Sequence, residues 1–158
     1  MATFGTLCDR QALFRLGGGL EPGEQPMRLL FAFPHVVDWL ANVMGDLPPD
    51  LSGGRQSPLE QVDDLLHDFV SGADLSYYRR THSMEPWEEG VWELKTPDIR
   101  LFGWFHVRDT FIVANVDTAE RCKSIGLYEG YRADTIRRRI RLDIDEPKFI
   151  SGGYNHVF

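Results

Sequence analysis

The chain has 158 residues, of which 42% are hydrophobic, and a formal net charge of −7. This length allows one domain with a substantial core and leaves little room for a second, and the composition excludes wholesale disorder. The longest apolar stretch, residues 29–33, is far too short to cross a membrane, and the first twenty residues lack the features of a signal peptide, so we expect a cytoplasmic protein with no membrane partner.

The two ends of the chain carry weak structural signals. A glycine triplet at residues 17–19 and prolines at 22 and 26 predict a flexible lead-in over residues 1–26, and the triplet lacks the Lys-Ser/Thr ending of a phosphate-binding loop. Residues 147–158, with Gly152-Gly153, are predicted to be a frayed tail. One domain is therefore expected over residues 27–146.

The first half of that domain predicts a strand and two helices. Residues 27–33 are apolar apart from Arg28 and stop at Pro34, which suits a buried strand followed by a helix that begins at the proline. Residues 47–56 predict a loop. The second helix has the clearest signals, since Ser57 begins a capping box and apolar residues recur at helical spacing over residues 59–70.

The second half changes to an alternating pattern, which predicts three strands over residues 91–95, 99–107 and 110–116. Strand, helix, helix and antiparallel meander together indicate an α+β fold with helices against a sheet. Asp117 is predicted to cap a further helix. Residues 131–141 fit either a helix or a strand, and the sequence leaves this open.

The strand over residues 99–107 has one apolar face and one unusual face. The unusual face alternates cations with large aromatics, in the order Arg100, Phe102, Trp104, His106 and Arg108. Cations bind phosphates and aromatic rings stack on unpaired bases, so one interpretation is an RNA-binding surface. The other is that the C-terminal segment covers Phe102 and Trp104 and leaves the arginines at the rim.

Further cations follow this strand, although the chain as a whole is acidic. Residues 1–74 carry four Arg against eleven Asp or Glu, whereas residues 75–158 carry thirteen of each sign. The second half can therefore form a local basic patch despite the net charge. The residues predicted to bind RNA are Lys95, Trp104, Arg108, Arg137 and Arg138.

RNA cleavage through the 2′-hydroxyl needs groups that move protons and groups that stabilise a charged phosphorane. His106 and Tyr128 are candidates for proton transfer, with Glu93 a weaker one, and arginine and lysine suit the charge. The predicted catalytic residues are Arg100, His106, Arg121, Lys123 and Tyr128. Cys8 and Cys122 form no CxxC pair, and no Cys/His cluster has zinc-site spacing, so neither a metal nor a cofactor is predicted.

Residues 27–128 resemble the RelE/HigB superfamily of type II toxins, and most closely its phage-related HigB-like branch. The segment Glu89–Lys95, followed by Ile99–Phe102, is similar to the sheet signature of that branch, and the helix over residues 59–70 stands where the family has its second helix. The resemblance implies metal-independent cleavage of messenger RNA, usually at the ribosome, and neutralisation by an antitoxin protein. It implies that Arg100 stabilises the transferring phosphate.

The same resemblance assigns expected roles to other positions. Arg121 and Lys123 lie near the family's basic cluster after the central strand, and Tyr128 corresponds to a late aromatic residue that some members use. The chain departs from the branch at residues 115–118, which read Asn-Val-Asp-Thr where a phenylalanine and two lysines are usual. A catalytically inactive relative or a gyrase-inhibiting cousin of the ParE kind would share these features.

The alternative hypothesis is a non-catalytic, phage- or mobile-element-derived protein-binding module of the same fold. Its interface would consist of the acidic first half and an exposed Trp104. The two hypotheses differ in whether RNA is cleaved and in whether Arg100 matters, and fold resemblance alone does not separate them. The sequence leaves the oligomeric state open.

Overall fold

The computed structural model describes residues 1–51, 53, 56–77 and 80–158, and within them the chain forms an α+β fold around one six-stranded sheet. The strands are β1 (Phe14–Arg15), β2 (Leu29–Ala32), β3 (Thr81–Ser83), β4 (Trp92–Lys95), β5 (Ile99–Val107) and β6 (Thr110–Thr118). The helices are α1 (Phe4–Asp9), α2 (Pro34–Asn42), α3 (Pro58–Ser71), α4 (Ala119–Ser124), α5 (Tyr128–Arg141) and α6 (Tyr154–Val157), with short 3₁₀ turns at Met44–Asp46 and Trp87–Glu89.

The sheet is mostly antiparallel, in the order β1-β2-β6-β5-β4-β3. Strands β3 to β6 form a meander, and β2 joins it by pairing in parallel with β6. The predicted α+β class and the predicted order of strand, two helices and meander are confirmed. At the β5–β6 turn, Asp109 adopts the left-handed conformation (φ 60°) that a glycine usually supplies.

Helices α2 and α3 cover one face of the sheet. Helix α3 begins where the capping box predicts, since the Ser57 hydroxyl accepts a hydrogen bond from the Glu60 N–H, and it ends at Gly72 in the left-handed conformation. Its apolar stripe, which includes Leu65 and Phe69, packs against buried residues of the sheet such as Phe105. This is the main core of the protein.

The opposite face of the sheet is also covered, by α1, α4, α5 and the segment after α5. The rings of Phe102 and Tyr131 stack 5.1 Å apart, and the Trp104 indole N–H donates to the Lys148 carbonyl. Phe102 and Trp104 are fully buried. The interpretation in which the C-terminal part of the chain covers these two aromatics is therefore correct, but Arg100, which it placed at the rim, is itself buried.

Both chain ends differ from the prediction because they help to cover the sheet. In the expected flexible lead-in, α1 buries Leu7, and the ring of Phe4 stacks 4.2 Å from that of Phe31. In the expected frayed tail, α6 buries Val157, and the ring of Phe158 lies 5.0 Å from that of Phe105. Each of these segments is too short to show a clear periodicity in sequence.

Two local predictions after the meander are resolved. Residues 131–141, which fitted either element, belong to helix α5. Thr118 rather than Asp117 caps α4, because Asp117 still pairs with Arg100 in the sheet and the Thr118 hydroxyl accepts the Arg121 N–H. No helix in the described part of the chain combines the length and apolar character that a membrane crossing requires.

Candidate active site

A cavity of about 440 Å³ opens where β3, β4 and β5 meet the α4–α5 connection. Side chains from five segments line it, and those with useful chemistry are His82, Glu93, Lys95, Arg100, Lys123 and Tyr128. Five of these six were singled out from the sequence, namely Lys95, Arg100, Lys123 and Tyr128 as predicted site residues and Glu93 as a weaker candidate. We call this the Arg100 cavity.

Strand register explains why the side chains from the sheet meet. Residues directly opposite each other on neighbouring strands project to the same face. His82 pairs with Glu93, Glu93 with Phe102, and Lys95 with Arg100, so all five project to the face that α4 and α5 cover. The covering helices then bring Lys123 and Tyr128 over the same end of the sheet.

Arg100 is a buried cation held by a buried carboxylate. Its Nε lies 2.9 Å from Oε1 of Glu93, and the two side chains are only 7% and 8% exposed. Arg100 also donates to the carbonyls of Thr96 and Ile99, and its Nε lies 3.4 Å from the Tyr128 hydroxyl. The guanidinium is thus fixed in position at the floor of the cavity before any ligand binds.

Lys123 and Tyr128 form the rim rather than the floor. Lys123 is exposed on the last turn of α4, and Tyr128 is partly buried at the first residue of α5. Lys95, at the end of β4, is also partly exposed. A phosphate in the cavity would therefore meet the buried Arg100 below it and the more exposed Lys95 and Lys123 beside it, in a cavity that is also lined by three glutamates.

A second buried polar cluster lies one strand away and holds Arg121. The carboxylate of Asp117 accepts hydrogen bonds from Arg121 Nε at 3.1 Å and from the Tyr131 hydroxyl at 2.6 Å. Burial and this hydrogen bond raise the pKa of Tyr131 well above its usual range, so the phenol stays protonated. Arg121 itself is more than half exposed and lies beside the Arg100 cavity without lining it.

Lys95 and Arg100 also line a larger cavity of about 870 Å³ on the α3 side of the sheet. Its other walls include Asp64, Asp68 and Tyr77. Asp68 forms an ion pair with Arg80 at 2.8 Å, and Asp64 accepts a hydrogen bond from Gln56 at 2.6 Å. Three carboxylates and three cations line each of the two cavities, so charge balance does not separate them, but Lys123 and Tyr128 line only the Arg100 cavity.

His106 and Trp104 do not belong to the Arg100 cavity, which corrects the prediction of one continuous surface. His106 is six residues along β5 from Arg100, a distance of roughly 20 Å in an extended strand. Its Nδ1 lies 3.0 Å from the Lys148 carbonyl, and its ring packs edge-on against Phe4. Trp104 is fully buried, so its ring is available neither to stack on a base nor to form an exposed interface.

The remaining predicted RNA-binding residues are also dispersed. Arg108 is exposed at the β5–β6 turn. Arg137 and Arg138 lie toward the far end of α5, where both pair with Asp134 at 3.2 and 2.7 Å. Nine residues of helix separate Tyr128 from Arg137, which corresponds to roughly 14 Å at a rise of 1.5 Å per residue. We call Arg137 and Arg138 the basic ridge, which is separate from the Arg100 cavity.

The basic ridge has its own polar network. Burial alone would raise the pKa of Asp134, but hydrogen bonds from Arg138 and Asn115 outweigh it and hold the pKa below its usual value. His35 lies beside this network, with Nε2 2.6 Å from the Ala114 carbonyl. Burial and the positive charge of Arg138 lower the pKa of His35, so it is mainly neutral at pH 7.

His82 is the cavity residue that the sequence did not single out. It lies in a polar connector, on a strand of only three residues that gives no clear alternation. Its pairing with Glu93 becomes visible only when β3 is placed against β4. Within the described residues, no group of three or more His, Cys, Asp or Glu side chains is placed to hold a metal ion.

Comparisons of the chain with protein-family models, with curated proteins and with solved structures found no match. The resemblance to the RelE/HigB superfamily consequently stays a prediction.

Proposed function

We propose that the protein is a metal-independent endoribonuclease, similar in kind to the RelE/HigB toxins, that cleaves RNA in the Arg100 cavity. The observation that supports this proposal is that four predicted residues from separate parts of the sequence line one cavity of about 440 Å³. They are Lys95, Arg100, Lys123 and Tyr128. From the resemblance we add a substrate, which is cytoplasmic messenger RNA bound to the ribosome, and a partner, which is an inhibitory antitoxin protein.

The chemistry follows from the positions of the charges. Attack of a 2′-hydroxyl on the neighbouring phosphorus places additional negative charge on the phosphoryl oxygens. Arg100, already fixed by Glu93, supplies a cation that needs no reorganisation, and Lys123 approaches from the exposed rim. The Tyr128 hydroxyl, 3.4 Å from Arg100 Nε, is placed to donate a proton to the leaving 5′-oxygen.

The test uses the rim residues, because they can be changed without removing a buried charge. Lys123→Ala and Tyr128→Phe should each lower the rate of RNA cleavage about 100-fold or more, the usual effect of losing one group that stabilises transition-state charge or one proton donor. Arg10→Ala is the matched control for a lost cation. Arg10 is 61% exposed and lies outside the Arg100 cavity, where it forms an ion pair with Asp143 at 3.7 Å. Its replacement should leave the rate of RNA cleavage unchanged.

The measurement is cleavage of a labelled RNA by purified protein, with and without ribosomes, alongside growth after induced expression. Cleavage and growth arrest that are lost in both rim variants and kept in the control support the proposal. A folded wild-type protein that leaves RNA intact in both conditions and permits normal growth would refute it.

The second candidate is the protein-binding module without catalysis. The observation in its favour is the burial of Arg100, whose ion pair and backbone hydrogen bonds are also what a purely structural arginine would make. This hypothesis no longer has Trp104 as an interface residue, because that side chain is buried. It predicts that neither rim variant changes RNA in any assay.

A further inference from the structure

We propose that His82 is the residue that accepts the 2′-hydroxyl proton in the Arg100 cavity. The inference rests on the proposed function and adds a catalytic residue to it. The chain has five histidines, and among the described residues that line the cavity His82 is the only one of them.

Geometry places His82 next to the reacting position. It lies on β3 directly opposite Glu93, and residues so paired have Cβ atoms about 4.5–5.5 Å apart. Glu93 in turn contacts the Arg100 guanidinium at 2.9 Å. Three adjacent strands therefore present a histidine, a carboxylate and an arginine in succession across one face, with the histidine on the outer strand of the sheet where ligand has access.

The other four histidines lie elsewhere in the fold. His35 contacts the Ala114 carbonyl and His67 the Gly18 carbonyl, while His106 contacts the Lys148 carbonyl. His156 accepts a hydrogen bond from the Gly153 N–H in the C-terminal segment. Since none of these four lines the Arg100 cavity, a histidine-dependent step there falls to His82.

The step balances without any further reactant. The neutral imidazole of His82 takes the proton as the 2′-oxygen forms its bond to phosphorus, and the bond from phosphorus to the 5′-oxygen breaks. Tyr128 gives its proton to that 5′-oxygen. The products are a 2′,3′-cyclic phosphate and a 5′-hydroxyl, and transfer of the proton from His82 to Tyr128 through water restores both groups.

This role predicts a pH dependence, because only the neutral form of an imidazole can accept a proton. The charged and titratable groups that face His82 across the cavity are Glu85, Glu93, Lys95, Arg100, Lys123, Tyr128 and Glu129. Wild-type kcat/KM should therefore fall as the pH is lowered, since a protonated His82 can no longer accept a proton.

The experiment is the pH profile of kcat/KM for RNA cleavage by wild type, His82→Gln, His106→Gln and His156→Gln. In His82→Gln we expect a rate about 100-fold lower and no acidic limb, whereas His156→Gln should keep both the rate and the limb. The products of wild type should carry a 2′,3′-cyclic phosphate. If His82→Gln fails to fold by circular dichroism, His82→Asn replaces it in the same measurement.

The outcomes separate the two proposals. Cleavage that needs Lys123 and Tyr128 but keeps its rate and acidic limb in His82→Gln would overturn the role of His82 and leave the proposed function standing. Loss of the acidic limb in His106→Gln instead would also overturn it. An inactive wild-type protein would overturn the proposed function and the role of His82 together.

Discussion

Removing the positive charge of Arg100 should destabilise the protein more than removing both members of its ion pair. Arg100 and Glu93 lie 2.9 Å apart with side chains 7% and 8% exposed, so Arg100→Met removes this cation from a buried carboxylate. Breaking such a pair costs about 3–5 kcal/mol, a large part of a total stability of about 5–15 kcal/mol. Replacing both residues by apolar ones of similar size is often close to neutral.

The comparison is between Arg100→Met and the double variant Arg100→Met/Glu93→Leu, by urea unfolding followed through tryptophan fluorescence. With a slope near 2 kcal/mol/M, the single variant should lower the midpoint by about 1.5–2.5 M, and the double variant should recover at least half of that loss. The Thr96 carbonyl loses its arginine donor in both variants, so this cost cancels in the comparison. Equal destabilisation of the two variants would refute the argument that Arg100 neutralises a buried Glu93.

Four further outcomes follow from the structure. Gly103→Ala should cost several kcal/mol in unfolding experiments, because an added Cβ would lie 1.9 Å from the Ile112 carbonyl oxygen, next to a bulge in β6. Burial raises the pKa of Cys122 to about 11, so in native protein at pH 8 a thiol reagent should label Cys8 and spare Cys122, whereas denaturant should expose both. The lowered pKa of Asp134 means that its stabilising contribution is present at neutral pH and lost as the pH falls through the folded-state value. The stability difference between wild type and Asp134→Asn should accordingly shrink on acidification from pH 7 to pH 3, and a constant difference would contradict this. Finally, the three cations of the Arg100 cavity predict a slope of roughly −2 when the logarithm of the affinity for single-stranded RNA is plotted against the logarithm of the salt concentration. A slope near −4 would show that the basic ridge also binds the strand.

The sequence predicted elements whose signals are local. Helix α3 has its cap, its first-turn proline and its terminal glycine within sixteen consecutive residues, and β4 to β6 have clear alternation. Strands β1 and β3 span only two and three residues, so the pairing that defines them lies in distant parts of the chain. The local sequence therefore does not predict such strands.

The same limit explains which site residues were predicted. Alternation along β5 correctly placed Arg100 and Trp104 on one face, but alternation does not tell what covers a face. The covering segments bury Trp104 and leave the end near Arg100 open. His82 was missed because its relation to Glu93 depends on a cross-strand pair, which sequence spacing does not encode.

The division of the cavity into a buried floor and an exposed rim decides which variants can separate an enzyme from a binding module. Loss of activity in an Arg100 variant has two explanations, loss of phosphate stabilisation and loss of the fold where the buried ion pair with Glu93 is broken. Lys123 and Tyr128 lie at the rim, where a substitution removes one functional group and leaves the ion pair intact. A catalytic site requires Lys123 and Tyr128 in the transition state, whereas the buried floor needs only the ion pair between Arg100 and Glu93. Substitutions at the rim therefore distinguish an enzyme from a binding module, and Arg100 maintains the site under either hypothesis.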